Sequence, residues 1–328
     1  MTPITVVVPI LNESESVEEL YRQLQASAEA NDYRLRLVMV DDGSTDDTWK
    51  KICELGKRDP NVLGVRFRRN FGKAAALTAG FDEVEDPYVV TIDGDLQDDP
   101  AELPLLMAKL QEGYDVVSGW KIDRKDPWHK TLPSKVFNGM VGWLTGVKLH
   151  DHNCGFKLYR REVVGEVRLY GELHRFVPVL ADARGFKVAE VPVNHRPRKF
   201  GHSKYGAKRI VKGFLDLLTV KFITGFGQRP QHLLGGFGLV SFLVGFGLLG
   251  YLAVMWCLTR IELLGLPEMH LHERPALYYA LAFFLIGGQF LTVGLLSEMV
   301  TGFLIRKSDM FSVAEYTDPR ENEVTVRH

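Results

Sequence analysis

The stretch YVVTIDGDLQDDP, residues 88–100, decides how the chain is read. Its first half, 88–92, is a short apolar run of strand type. Asp93, Asp95 and Gln97 follow at alternate positions, and Gly94 lets the backbone turn closely between the two acids. In parallel sheets, ligands bind beyond the carboxyl ends of the strands. Hard oxygen donors at such a place suit Mg²⁺ or Mn²⁺. Asp98 and Asp99 read as caps for a helix starting at 101.

Outward from this stretch the chain alternates strand and helix. Residues 4–9 (ITVVVP), 35–41 (LRLVMVD), 62–67 and 115–118 are further short β-branched or apolar runs. Helical patterns occupy 14–29, 45–55, 72–84 and 101–112. This rhythm predicts an α/β fold, a doubly wound and mostly parallel sheet. Beyond its strand ends stand Asn12 and Glu13, Asp41 and Asp42, and Asp93 and Asp95. Carboxylates crowded in one crevice repel unless paired, protonated or metal-bound. Asp42 also reads as the start of the turn DGS, capping the next helix.

Composition sets the outer bounds. The chain has 328 residues, 46% hydrophobic and 25% charged, which excludes disorder, collagen and coiled coil. Its 40 Lys+Arg against 41 Asp+Glu leave a formal charge of −1, which argues against nucleic acid as a main partner. Cys53, Cys154 and Cys257 are too widely spaced for a disulfide framework or a metal pair.

The average hides an asymmetry. Residues 233–258 and 276–297 contain no charged side chain, and the apolar pattern of the second continues past Glu298 to 305. At ~1.5 Å per residue, about 20 residues cross a hydrocarbon core of ~30 Å, so both are long enough to span. The alternative is a buried hairpin of a soluble domain. Between 196 and 229 nine Lys/Arg face the single acid Asp216, and Arg306 and Lys307 follow the second span. The connection 259–275 carries Arg260 and Arg274 against Glu262, Glu268 and Glu273. The positive-inside rule then puts both outer flanks, both termini and the soluble domain in the cytoplasm, on an inner (plasma) membrane. Absence of a basic-then-apolar leader at the N-terminus agrees with this. Two amphipathic segments, 136–144 and 207–226, read either as helices in the headgroup layer or as helices packed on the sheet. The expected divisions are a catalytic domain 1–206, an interface helix and linker 207–231, two spans within 232–305, and a tail 306–328. Ser241 and Gly245 form a small-x-x-x-small pair suited to helix association.

Six motifs in order resemble one family. VVVPILNE (6–13), VDDGSTDDT (40–48), RNFGKAAALTAGF (69–81) and DGDLQDDP (93–100) are similar to family 2 glycosyltransferases of GT-A fold. LHDHNCGFKLYRR (149–161), HRPRKFGHSKYG (195–206) and the terminal hairpin narrow the resemblance to the polyisoprenyl-phosphate glycosyltransferases, relatives of dolichol-phosphate mannose synthase. It covers roughly residues 4–305. The Q-x-x-R-W motif of processive polysaccharide synthases is absent.

The resemblance implies an inverting, metal-dependent transfer of a hexose from a sugar nucleotide to a polyprenyl phosphate, undecaprenyl or dolichyl, serving envelope glycosylation. UDP-glucose is the preferred donor and GDP-mannose the alternative. A polysaccharide transferase and a non-enzymatic membrane assembly protein are the rival readings. By the same resemblance Pro9, Asn12 and Glu13 line the nucleoside end, and Asp42 bonds the base with Asp41 nearby. Lys73 approaches the diphosphate. Asp93, Gly94, Asp95 and Gln97 form the metal and phosphate site, on Mg²⁺ or Mn²⁺. Asp151 lies near the acceptor, orienting it rather than acting as an obligatory base. Arg198, Ser203, Lys204 and Tyr205 serve the acceptor phosphate or the diphosphate, and Arg124 the lipid phosphate. A homo-oligomer, a tetramer, is the assembly the family implies. His150, His152 and His195 read as exposed or hydrogen-bonded rather than as a metal cluster, and Gly155 and Phe156 as backbone and packing residues.

Overall fold

The computed structural model describes residues 1–122, 128–169, 171–194, 196, 213, 216–217, 219–221, 224, 230–261 and 270–304. The chain divides into two compact units, Met1–Lys221 and Phe222–Met310.

In the first unit seven strands among the described residues form one sheet. They are β1 (Thr2–Ile10), β2 (Tyr33–Asp41), β3 (Val62–Arg66), β4 (Tyr88–Thr91), β5 (Val116–Lys121), β6 (Lys157–Arg160) and β7 (Val188–Val193). Their order is β3-β2-β1-β4-β6-β5-β7. Pairing is parallel except at β6, which runs against both β4 and β5. The sheet is therefore mostly parallel, as expected from the alternating pattern, with one reversed strand that the sequence did not announce. Reversal brings the start of β6, Lys157, opposite Thr91 at the end of β4. One sheet edge thus collects the C-terminal ends of six strands and the N-terminal end of the seventh.

Helices cover both faces because the buried strands are apolar on both. Val6, Val8 and Ile10 of β1 face α1 (Val17–Ala30), α2 (Thr48–Arg58) and α4 (Leu103–Gln111), meeting Leu20, Leu24, Ile52, Leu55, Leu106 and Leu110 in one core. Val7, between them, faces the opposite way into a second core with Val38, Val40 and Val89. That core packs on α3 (Lys73–Asp82) through Ala74, Leu77 and Phe81, on α6 (Arg161–Glu166), and on α7 (Val177–Ala183). Each fully buried Val or Leu stabilises by about 1.5–3 kcal/mol relative to exposure.

A third, smaller cluster forms around α5 (Trp128–Thr145), with Val141, Phe137, Met140 and Leu144 against Phe176, Leu217 and Val220. The apolar face of 136–144 is therefore spent on packing within this unit, and of its large apolar side chains only Val136 and Trp143 stand well exposed. Most of the amphipathic stretch 207–226 lies outside the described residues; its Leu217 and Val220 are buried in this same cluster.

The second unit is a pair of long apolar helices, Pro230–Thr259 and Pro275–Leu304. Their spans Gln231–Thr259 and Pro275–Val300 are long and apolar enough to cross a membrane. Only 22% and 17% of their most apolar windows are buried within the protein, unlike the core helices of a soluble domain. Glycines set the approach of the two helices. A Cβ on Gly245 would strike the Phe284 backbone, and one on Gly287 would strike that of Phe242. Ser241 Oγ donates to the Phe283 carbonyl at 3.0 Å. Ser241 and Gly245 therefore join the two helices of one chain to each other. Glu298 accepts from the Gln231 backbone N–H at 3.1 Å, which places a carboxylate at the positive start of the first helix.

Candidate active site

At the end of β1 the chain turns through Asn12, which has a positive φ of 55°. The Asn12 N–H donates to Ser44 Oγ at 2.9 Å, and its Oδ1 accepts from the Thr45 N–H at 2.9 Å. The Glu13 N–H donates to Thr48 Oγ1 at 3.0 Å. The loops after β1 and β2 are thus fastened together, and Pro9 leads into them.

Asp41 and Asp42 at the end of β2 are both buried. Asp41 closes its own turn, accepting from the Ser44 N–H at 2.8 Å, and lies 3.4 Å from Arg66 Nε. Asp42 reaches across to the segment ahead of α3. Its Oδ1 accepts from the Phe71 N–H at 2.7 Å and its Oδ2 from the Gly72 N–H at 3.0 Å. Gly72, at φ 96°, is the N-cap of α3, a backbone conformation that side chains other than glycine's resist. Asp42 therefore holds the approach to Lys73, the first residue of that helix.

Lys73 Nζ in turn forms an ion pair with Asp93 Oδ1. Burial works against ionisation of Asp93, but Lys73 outweighs it, helped by Lys121 and Lys157, and holds the carboxyl at about 2. Gly155 backs the same carboxylate: a Cβ there would lie 2.5 Å from Asp93 Oδ2 and 2.7 Å from Oδ1. Asp95 is buried and accepts from the Gln97 N–H at 3.2 Å, around a turn in which Leu96 has a φ of 61°. The Gln97 carbonyl accepts from the Arg196 N–H at 2.9 Å.

The two acids after this turn divide their work. Asp99 caps the short 3-10 turn Pro100–Glu102, accepting from the Ala101 N–H at 3.0 Å. Asp98 departs from the capping role expected of it. It is buried and pairs with Lys121 Nζ at 2.7 Å, tying the acidic turn to the end of β5.

The loop carrying Asp151 is fixed from below. Asp151 is buried and accepts from the Asn153 N–H at 3.0 Å. Lys157, itself buried, donates to the Cys154 carbonyl. Burial pushes its ammonium below the ordinary lysine value. Thr91 Oγ1 donates to the Gly155 carbonyl at 2.8 Å, so β4 and this loop share a joint beside Asp93. His152 is fully buried, and burial together with Lys157 lowers its ring to about 4. His150 instead stacks on Trp120 at 4.0 Å and pairs with Glu190. The histidines thus serve separate local roles, and among the described residues no three acidic, histidine or cysteine side chains form a metal nest.

The structure links Asp42, through the start of α3, to Lys73 and Asp93 and fastens Asn12 to the loop after Asp42, with Asp95, Gln97 and Asp151 on adjoining turns. Arg124, Arg198, Ser203, Lys204, Tyr205 and His195 lie outside the described residues. Lys121, Lys157 and His174 were missed in the sequence. His174 precedes α7, and burial with Lys73 nearby lowers its ring to about 2. The one available signal was Lys157, a lone charge inside the apolar run CGFKLY.

The carboxylates of Asp93 and Asp95 and the amide of Gln97 make a hard-oxygen donor set suited to a divalent cation. A positive charge, the Lys73 ammonium, already rests on one of them.

This sheet, with acids at its crest and Lys73 resting on one of them, is a GT-A-like arrangement. Residues 5–168 match the family Glycosyl transferase family 2, and the chain belongs to it: it is a glycosyltransferase. The chain is 36% identical over 302 residues to the dodecaprenyl-phosphate galacturonate synthase of Rhizobium johnstonii, covering 90% of this chain and 87% of that one. It is 33% identical to the undecaprenyl-phosphate 4-deoxy-4-formamido-L-arabinose transferase of an Enterobacter species, covering 90% and 88%. Among solved structures, mannosyl-3-phosphoglycerate synthase from Rubrobacter xylanophilus shares the fold with a TM-score of 0.55 at 15% identity, over 68% of this chain and 74% of that one. Glucosyl-3-phosphoglycerate synthase from Mycobacterium tuberculosis, solved with Mn²⁺ and UDP-glucose, does so at 0.51 and 18%, over 68% and 79%.

Proposed function

We propose that the chain transfers a sugar from a UDP-sugar to the phosphate of a polyprenyl lipid, on the cytoplasmic face of a membrane and with inversion at the anomeric carbon. The observation that carries this reading is the reach of the similarity. Identity of 33–36% to two polyprenyl-phosphate sugar transferases extends over 90% of the chain, too far to be confined to the sheet domain.

In this reading the bond from the anomeric carbon to the donor diphosphate breaks, and UDP leaves with the electron pair. An oxygen of the lipid phosphate forms the new bond from the opposite side. A phosphomonoester, with a second pKa of about 6, is largely ionised at neutral pH, so no strong base is required. Asp151 then orients the acceptor. Asp93, Asp95 and Gln97 would hold a divalent cation, Mg²⁺ or Mn²⁺, which when bound offsets the charge developing on the departing diphosphate. Lys73 adds a second positive charge there. Asp42 and Asn12 keep the loops at the nucleoside end in place, alongside Pro9, Glu13 and Asp41. Arg124, Arg198, Ser203, Lys204 and Tyr205 are assigned to the lipid phosphate or the diphosphate on the family resemblance. The two apolar helices tether the chain to the membrane in which a polyprenyl phosphate resides, with a tetramer as the proposed assembly.

UDP-glucose is the first donor to test, and GDP-mannose the alternative from the sequence. The relatives named above favour a second reading, a galacturonate or formamido-arabinose donor. Membranes containing the protein, given undecaprenyl phosphate and a panel of labelled sugar nucleotides with and without EDTA, should yield one labelled, EDTA-sensitive lipid product. Absence of label in the lipid fraction with every donor overturns the proposal.

A further inference from the structure

The cation that the acidic turn binds here is the chain's own. Lys73 Nζ sits on Asp93 Oδ1, one of the oxygens assigned to the divalent cation. The backbone around the pair is held on both sides. Asp93 is backed by Gly155, where a Cβ would already overlap its carboxylate. Lys73 opens α3, and the two residues ahead of it are held by Asp42 through their backbone N–H groups.

We propose that Lys73 makes the site selective for the metal–nucleotide complex over the free metal ion. The inference rests on the metal-dependent reading above. A free divalent cation must displace or face an ammonium already in contact with Asp93. A nucleoside diphosphate removes that obstacle, because its oxygens offer Lys73 another anion and supply further ligands to the cation. Metal and nucleotide then bind with positive coupling, and each tightens the other by the same factor. Lys73 thereby works twice, as the partner of Asp93 and as a partner of the diphosphate.

The test is binding of Mn²⁺ to the purified full-length protein in detergent, read from the electron-paramagnetic signal of free Mn²⁺, with and without UDP. Wild-type protein should bind Mn²⁺ weakly alone and about a hundredfold more tightly with UDP, near the upper end of usual coupling. Lys73→Met should bind Mn²⁺ alone about tenfold more tightly and lose most of the coupling. Lys73→Arg, which keeps the charge, should behave as wild type. Equal Mn²⁺ affinity of Lys73→Met and wild type, with unchanged coupling, overturns the inference while leaving the metal site standing. Wild-type protein with the same Mn²⁺ affinity in the presence and absence of UDP overturns it without any variant. Wild-type protein that binds no Mn²⁺ in either condition overturns the metal-dependent reading as well.

Discussion

Asp42 and Gly72 are joined across the sheet edge: the carboxylate at the end of β2 accepts from the backbone N–H that opens α3, at 3.0 Å. The acid expected to read the base thus also builds the wall that carries Lys73. Asp42→Asn leaves one carbonyl oxygen to serve the two N–H groups of Phe71 and Gly72, a loss of about 1–3 kcal/mol. Calorimetry of nucleotide-free protein should show a lower thermal midpoint for this variant, together with weaker UDP binding. Weaker UDP binding at an unchanged midpoint would assign Asp42 to the base alone.

Gly155 makes a sharper case because its neighbour is the Asp93 carboxylate itself. Gly155→Ala should displace Asp93 and lower kcat about a hundredfold, the scale of a roughly 1 Å misplacement. The fold should survive, since the clash is with one side chain. Steady-state kinetics beside a thermal melt would check this, and full activity would mean that Asp93 has room to move.

Asp95 and Asp151 should separate by role. Asp95→Ala is expected to abolish metal-dependent turnover. Asp151→Asn should retain part of it with the pH profile intact, because an ionised phosphate needs no proton removed. Complete and equal loss in both variants would make Asp151 an obligatory base.

His152 gives an acid limit to stability. Its ring titrates at about 4 in the folded protein against about 6.5 unfolded, so the folded state binds fewer protons between those values. Stability should therefore fall as pH drops from 6.5 towards 4, by on the order of 3 kcal/mol, and this contribution levels off below 4. Asp93 acts lower, losing its contribution between about 4 and 2. Urea melts across pH 4–7 should show a shallower slope for His152→Leu than for wild type, whatever the two stabilities at neutral pH.

In the apolar hairpin, Gly245→Leu or Gly287→Leu should force the two helices apart, while Gly247→Leu and Gly250→Leu should be tolerated. The first pair faces backbone of the partner helix and the second has open space beside it. Recovery of monodisperse protein after heating in detergent would rank them. Equal loss at all four positions would indicate a second packed surface.

The alternation of apolar runs with helical patterns was enough to read β1 to β5 and the helices between them, because each buried strand repeats Val, Ile or Leu on both faces. The two spans were equally plain, since uncharged stretches of that length have few other uses. The short strands β6 and β7 escaped notice: KLYR mixes charge with apolar residues, and VAEVPV contains a proline. The third cluster was ambiguous, for an amphipathic face at 136–144 fits a lipid surface and a protein surface equally well.

Sequence by itself determined the class of sheet, the acids at its edge and the two-helix hairpin, because these follow from local periodicity and from motifs of adjacent residues. Only the tertiary structure decided that β6 runs backwards, that Asp98 belongs to Lys121, that Asp42 holds the entry to α3 and that Lys73 rests on Asp93. Those pairings join residues 20 to 30 positions apart or belong to different strands. Which charge meets which is set by how the strand ends converge, and no local pattern along the chain encodes that.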